Sequence, residues 1–285
     1  MVLFGLPLRI IADACGRLTT VDKYMGLMAQ FNPLAPTEST PLFFVGLGPI
    51  KVPFTNHMLM VTIAAIVLAL GLPRFIGRQV GGPVRTMIEA ICVYLRDQMA
   101  RPILGHQTDR YIGFVWTVFF MVLTLNLLGM IPSEQIVTIL TGRPNHWGGP
   151  ATANIYVTGG LAAAGFFMTH AAGMRQHGVL GYLASIAPEG PWWIRPLLFV
   201  IESLGIMIRP FTLAVRLFAN ILAGHILTAT FFGLILVFKS YLVATVSVLA
   251  ATAISLLELL VAFIQAFIFA FLSTLYIGLS VSVEH

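Results

Sequence analysis

Charge is what this chain most lacks. Asp, Glu, Lys and Arg make up only 9% of its 285 residues, against about 25% in a soluble domain. With 58% hydrophobic residues and a mean hydropathy of +0.91, a water-soluble globule is excluded and a polytopic membrane protein is expected. Cysteine is scarce too. Cys15 and Cys92 stand far apart and in no metal-ligand spacing, so neither a disulfide nor a zinc site is expected. A Gly-rich loop ending in GK[ST] is missing, and with it the means to cradle a nucleotide phosphate. HExxH is missing as well, which argues against an intramembrane metalloenzyme; no cofactor or metal is expected. The chain has no internal repeat of the sort common in secondary transporters. Its formal net charge of +5 is no nucleic-acid footprint, because the 16 basic residues are thinly spread.

What is present is a series of apolar runs. Residues 1–53 are mixed: Asp13, Arg17, Asp22 and Lys23 punctuate short apolar stretches, and Pro33, Pro36 and Pro41 break helix after Met28. Arg9 and Asp13 interrupt the first apolar run, so it does not read as a signal peptide. A short interfacial helix followed by an extended loop is expected there, ahead of a membrane domain over 54–285. The first span covers about 54–72 and ends at Pro73 and Arg74. Pro83 then opens a helical pattern over 83–101. Met87, Ile88, Ile91, Leu95 and Met99 recur at helical spacing, which predicts an amphipathic helix along the membrane surface, with a polar loop as the alternative. Further spans are expected at 111–131 and 151–172, the latter rich in Gly and Ala and suited to close helix packing.

Two long apolar arms follow, 192–238 and 241–283, each longer than the ~20 residues that cross a bilayer upright. They read either as four spans, broken near Gly224–His225 and Lys239–Ser240, or as two long tilted helices in a hairpin. The expected fold is therefore all-α: five spans, one amphipathic helix, and a long hairpin at the end. Orientation follows from the arginines. Residues 73–110 carry six and 132–150 only one, so the former belong on the cytoplasmic or matrix side. Five spans then put the N-terminus outside and the C-terminus inside.

Ionisable or amide side chains at membrane depth cost several kcal/mol and are functional candidates by default. They are Asn126, Glu202, Arg209, Arg216, Asn220, His225, Glu258 and Gln265. Glu202, Arg209 and Arg216 are seven apart, and a heptad drifts only ~20° on a helix. Asn220 is one turn further along that face. Glu258 and Gln265 form a second stripe, with Tyr276 nearly on its line. His225, nine residues beyond Arg216, falls on the opposite side of an ideal helix unless Gly224 bends it. An arginine keeps its proton, so Arg216 suits a barrier or counter-ion. Glutamate and histidine can relay protons. Arg209, before Pro210, reads as an interfacial snorkelling residue. Asn126 and Gln265 read equally as interhelical hydrogen-bonding groups.

The stretch RPFTLAVRLFANILAGHIL, followed by ELLVAFIQAFIFAFLSTLYI, resembles the subunit a family of the F-type ATP synthase membrane sector. NHMLMVTIAA in the first span and TLNLLGMIP in the second are similar to it as well, and the resemblance covers about 54–285. It implies a non-catalytic stator against which a ring of c subunits turns, partnered also by peripheral-stalk b subunits. By the resemblance, Arg216 faces the ring carboxylate and blocks a direct leak, with Asn220 and Gln265 nearby. Glu202 belongs to the inner half-channel. His225 and Glu258 line the outer one, and Asn126 is a further outer candidate. The His-then-Glu order resembles mitochondrial and some bacterial members. The ending SVEH resembles bacterial ones, which implies a bacterial inner membrane, with the mitochondrial inner membrane as the alternative.

Overall fold

The computed structural model describes residues 39–47, 50–76, 82–131, 149–185, 191 and 193–281. The interfacial helix expected before Met28 lies outside them. The chain divides into two compact units. Among the described residues the larger comprises Thr37–Leu222 with Glu258 onward, and the smaller is Ala223–Leu257.

The larger unit opens on strands, not on the extended loop expected from the prolines. β1 (Pro41–Leu47) and β2 (Ile50–Thr55) pair antiparallel, and Phe43 stacks on Phe54 at 4.7 Å. Asn56 closes the hairpin onto the first helix: its amide oxygen accepts from the Thr40 N–H, and its own N–H donates to the Thr40 carbonyl. Helix α1 (Asn56–Ile76) runs through Pro73, which was expected to end it.

Pro83 starts α2 (Pro83–Tyr94), its fixed φ suiting a helix start. A π turn (Leu95–Ala100) and one more helical turn (Arg101–Leu104) extend it. Its buried stripe is Cys92, Leu95 and Met99, with Ile88 and Ile91 packed against them. Met87, at the same helical spacing, is 58% exposed. Helix α3 (Thr108–Met130) crosses back against α2. The Trp116 indole N–H donates to the Cys92 carbonyl, and Arg96 pairs with Asp109 at 2.6 Å.

Helix α4 (Ile155–Ser185) continues well past residue 172. The segment between the expected spans 151–172 and 192–238, which the sequence reads as a loop around Arg175, His177 and Glu189, is helical to Ser185, with one break at Gly178, whose φ of 75° is open to a residue without Cβ. Two very long helices end the chain, α5 (Arg195–Phe238) and α6 (Tyr241–Val281). The four-span alternative is overturned: α5 passes through Gly224 and His225 as one helix. Only Lys239 and Ser240 separate it from α6, with Lys239 at φ 46°.

Among the described residues five helices are long and apolar enough to cross a membrane, which makes this an all-α polytopic membrane protein. In the larger unit one core joins α2 to α6 through Leu95, Val115, Phe119, Ala162, Leu217 and Phe269. Small residues bring the helices close, as the composition of the third span predicts. Gly165 of α4 faces Ser273 and Phe269 of α6, and the Ser280 hydroxyl donates to the Thr169 carbonyl. In the smaller unit Ser247 and Ala251 of α6 are buried.

Candidate functional site

Helical spacing sorts the residues of α5 onto two faces. Leu213, Ala214, Leu217 and Ile221 are buried in the larger unit. Thr212, Arg216 and Ala219 are exposed on another face. Arg216 therefore stands out from an apolar helix, on the same exposed face as Thr212 and Ala219. Among the described residues no ion pair includes it. Asn220, one turn on, is half-buried.

Arg209 behaves differently. It reaches two turns back to Glu202, Nη2 to Oε1 at 3.1 Å, and its guanidinium lies 5.2 Å from the centre of the Tyr276 ring on α6. The seven-residue spacing that put Glu202 and Arg209 on one face is what lets two long side chains meet across two turns. Glu202, the one carboxylate on α5, lies 14 residues from Arg216, about 21 Å along the axis at 1.5 Å per residue and out of its reach.

Glu202, Arg209 and Tyr276 line a cavity of about 340 Å³ bounded by α4, α5 and α6. Its polar lining includes Ser273 and Ser280 of α6 and Thr169, His170 and Tyr182 of α4. His170 Nδ1 and Tyr182 Oη are hydrogen-bonded at 2.5 Å. The cavity has room for a short file of water at ~30 Å³ per molecule. It can thus hold protons and hydrogen-bonded water beside an otherwise apolar helix packing. Sequence reasoning missed His170 and Tyr182. His170 was legible by the same rule that found the others, since it is an ionisable residue within an apolar span. Tyr182 was hidden in a segment taken as loop.

Of the remaining candidates, Gln265 is 3% exposed on α6. Its Nε2 has no hydrogen-bond partner among the described residues. Asn126 is 1% exposed, and neither of its amide atoms has a protein partner there. A purely structural amide would be expected to bond across helices, because an unsatisfied buried amide costs about 1–3 kcal/mol. Asn126 lies one turn before Gly129, against which Pro150 and Thr152 pack. Glu258 is half-buried at the edge of the larger unit, and His225 is half-buried in the smaller one.

A family model described as the ATP synthase A chain matches residues 56–278. Among curated relatives, ATP synthase subunit a of Myxococcus xanthus is 38% identical over 247 residues, covering 84% of this chain and 76% of that one. The protein of the same name from Chloroherpeton thalassium is 36% identical over 251 residues, covering 84% and 70%. Prosthecochloris aestuarii has an "ATP synthase subunit a 2" that is 37% identical, covering 84% and 72%.

Proposed function

The chain belongs to the ATP synthase A chain family, and from that premise we propose that it is the stator along which a carboxylate-bearing c-ring turns, passing protons through two offset half-channels. It is a multi-pass membrane component of an F-type ATP synthase, and other subunits of that complex are its partners. The c-ring lies along α5 and α6, and peripheral-stalk b subunits hold the stator still. The subunit does no chemistry on nucleotide itself.

One observation carries this reading. Arg216 is an exposed cation on an apolar helix, with no carboxylate partner among the described residues. A charge at that depth costs about 2.5–3.5 kcal/mol on insertion scales. A self-contained channel or transporter would satisfy it within its own fold. A stator leaves it open to a succession of rotor carboxylates. A rotor carboxyl is neutral and cheap to carry through lipid when protonated, and tolerable when ionised only beside a cation. Arg216 stabilises the ionised form and, since it keeps its own proton, separates the two routes. Helix length supports the same arrangement. At 1.5 Å per residue the 44 residues of α5 span about 66 Å, twice the ~30 Å hydrocarbon core, so the helix crosses at a steep tilt along the ring.

The inner route runs through the cavity holding Glu202. The outer route uses His225 and Glu258, with Asn126 as a further polar station. Asn220 and Gln265 orient the carboxylate near Arg216. The arginine-rich residues 74–110, with α2, lie at the cytoplasmic face of a bacterial inner membrane. The N-terminus is outside and the C-terminus inside. Moving one charge through the potential yields about 2.3 kcal/mol per 100 mV, and this drives rotation as protons pass inward. The test is Arg216→Ala in the whole complex. ATP-driven proton pumping in inverted vesicles is abolished while the subunit still copurifies with the ring; pumping at the normal rate overturns the proposal.

A further inference from the structure

The polar lining of the cavity includes a pair that the half-channel reading does not use. We infer that His170, held by Tyr182, is a second proton-binding group of the inner route, so that this route titrates through an imidazole as well as through Glu202. The inference rests on the half-channel reading above and adds to it a residue and a pH dependence.

The contact is built, not incidental. Gly178 breaks α4 at φ 75°, and the turns beyond it bring the Tyr182 ring over Gly173. A Cβ on Gly173 would lie 2.4 Å from a carbon of that ring. Two glycines thus admit Tyr182 to a position where its hydroxyl meets His170 Nδ1 at 2.5 Å. The edge of Phe166, 4.1 Å away at 74°, fixes the plane of the imidazole. Tyr182 is 7% exposed, so ring and hydroxyl are sequestered where the helix could have ended in solvent.

The titratable and charged groups lining the cavity are His170 and Tyr182 from α4, Glu202 and Arg209 from α5, and Tyr276 from α6. Arginine does not release its proton. Glu202 is engaged by Arg209. Histidine is the side chain in that set suited to shuttling a proton, with one ring nitrogen to hold its orientation and the other to exchange. In the tautomer in which Nδ1–H donates to the Tyr182 oxygen, which the proposal requires, the Nε2 lone pair is left to take up a proton from the cavity and return it. No other bond forms or breaks. Tyr182 is a positioning residue: it sets the tautomer and orientation of the ring that carries the proton.

The experiment uses the whole complex in vesicles, with the pH varied separately on the two faces. In the wild type the dependence of proton pumping on inner-face pH contains a step contributed by the His170 imidazole. His170→Gln keeps a hydrogen-bonding partner for Tyr182 but cannot titrate. It removes that step and leaves the midpoint of the outer-face profile where it was. Tyr182→Phe deletes a single oxygen and shifts the inner-face step without abolishing it. A His170→Gln complex with the wild-type inner-face profile overturns the inference, as does an equal change on both faces. Should His170→Gln fail to copurify with the ring, Tyr182→Phe decides: an unmoved inner midpoint overturns the inference. Arg216→Ala in the same vesicles keeps the two ideas apart. Pumping that survives it removes the half-channel reading, whereas loss there with an unaltered His170→Gln profile removes only the role of His170.

Discussion

Removing Glu202 and Arg209 singly and together separates a structural ion pair from a proton-carrying one. The two meet through a single N–O contact at 3.1 Å, and each side chain is a little over one-third exposed. Fully exposed pairs contribute about 0.2–1 kcal/mol, and breaking a buried pair costs about 3–5 kcal/mol. A one-third exposed, single-contact pair falls between these, at about 1–2 kcal/mol of coupling. Either single change, Glu202→Met or Arg209→Met, leaves an uncompensated charge among α4, α5 and α6. Each should lower the amount of subunit found assembled in membranes. The double change leaves no charge and should recover most of that assembly, because a coupling of ~1.4 kcal/mol is tenfold in an equilibrium. Proton pumping follows a different rule. If Glu202 carries protons, the double variant assembles and still fails to pump. The assay pairs quantitative immunoblotting of the purified complex with dye-quench pumping in inverted vesicles. A double variant that pumps at the wild-type rate refutes Glu202 as a carrier. Additive losses of assembly refute the pair itself.

Two further perturbations test other parts of the reasoning. A Cβ on Gly278 would meet Ile103 Cγ2 at 2.7 Å and the Ile103 carbonyl oxygen at 3.3 Å. Gly278→Ala must therefore push α6 away from the turn after α2, at a cost of about 1–3 kcal/mol for overpacking, read as a lower melting temperature of the detergent-solubilised complex. An unchanged melting temperature counts against this contact. If the proposed outer route needs one acid and one imidazole, combining His225→Glu with Glu258→His should pump faster than either single variant. Equal rates in all three variants dismiss the pairing.

Much of the fold was legible because bilayer thickness and hydropathy act on length alone. Spans read from apolar runs do not depend on tertiary detail, and the helical stripe through Glu202, Arg209 and Arg216 needed only a period. Three features resisted for definable reasons. The β1–β2 hairpin lies among prolines and glycines that signal interruption but not what replaces the helix. Past residue 172, α4 carries Arg175 and His177, which lower hydropathy without stopping a helix, and Gly178 only kinks it before it resumes to Ser185. His177 Nε2, for instance, bonds the Val281 carbonyl and so is tied to α6. Pro73 and Pro210 sit inside helices for a related reason: an apolar surround favours keeping the backbone hydrogen-bonded on either side. The site was read less completely than the fold. A wheel shows which residues share a face, but it does not show that Arg209 spends its charge on Glu202.

That last point explains why two arginines seven residues apart on one helix do different work. A cation beside a passing carboxylate has to hold it while it is ionised and release it when a proton arrives. A permanent carboxylate partner within the chain would compete with every rotor carboxylate and close the barrier between the two proposed routes. Glu202 is no such partner, because at 1.5 Å per residue it lies about 21 Å along the helix from Arg216, beyond the reach of either side chain. It is Arg209, two turns away, that engages Glu202 at 3.1 Å, with its guanidinium 5.2 Å from the centre of the Tyr276 ring on α6. Arg216 stays open on the exposed face with Thr212 and Ala219. On the proposed function the two arginines are therefore separable: neutralising both Glu202 and Arg209 should restore assembly and not transport, whereas neutralising Arg216 should remove transport alone.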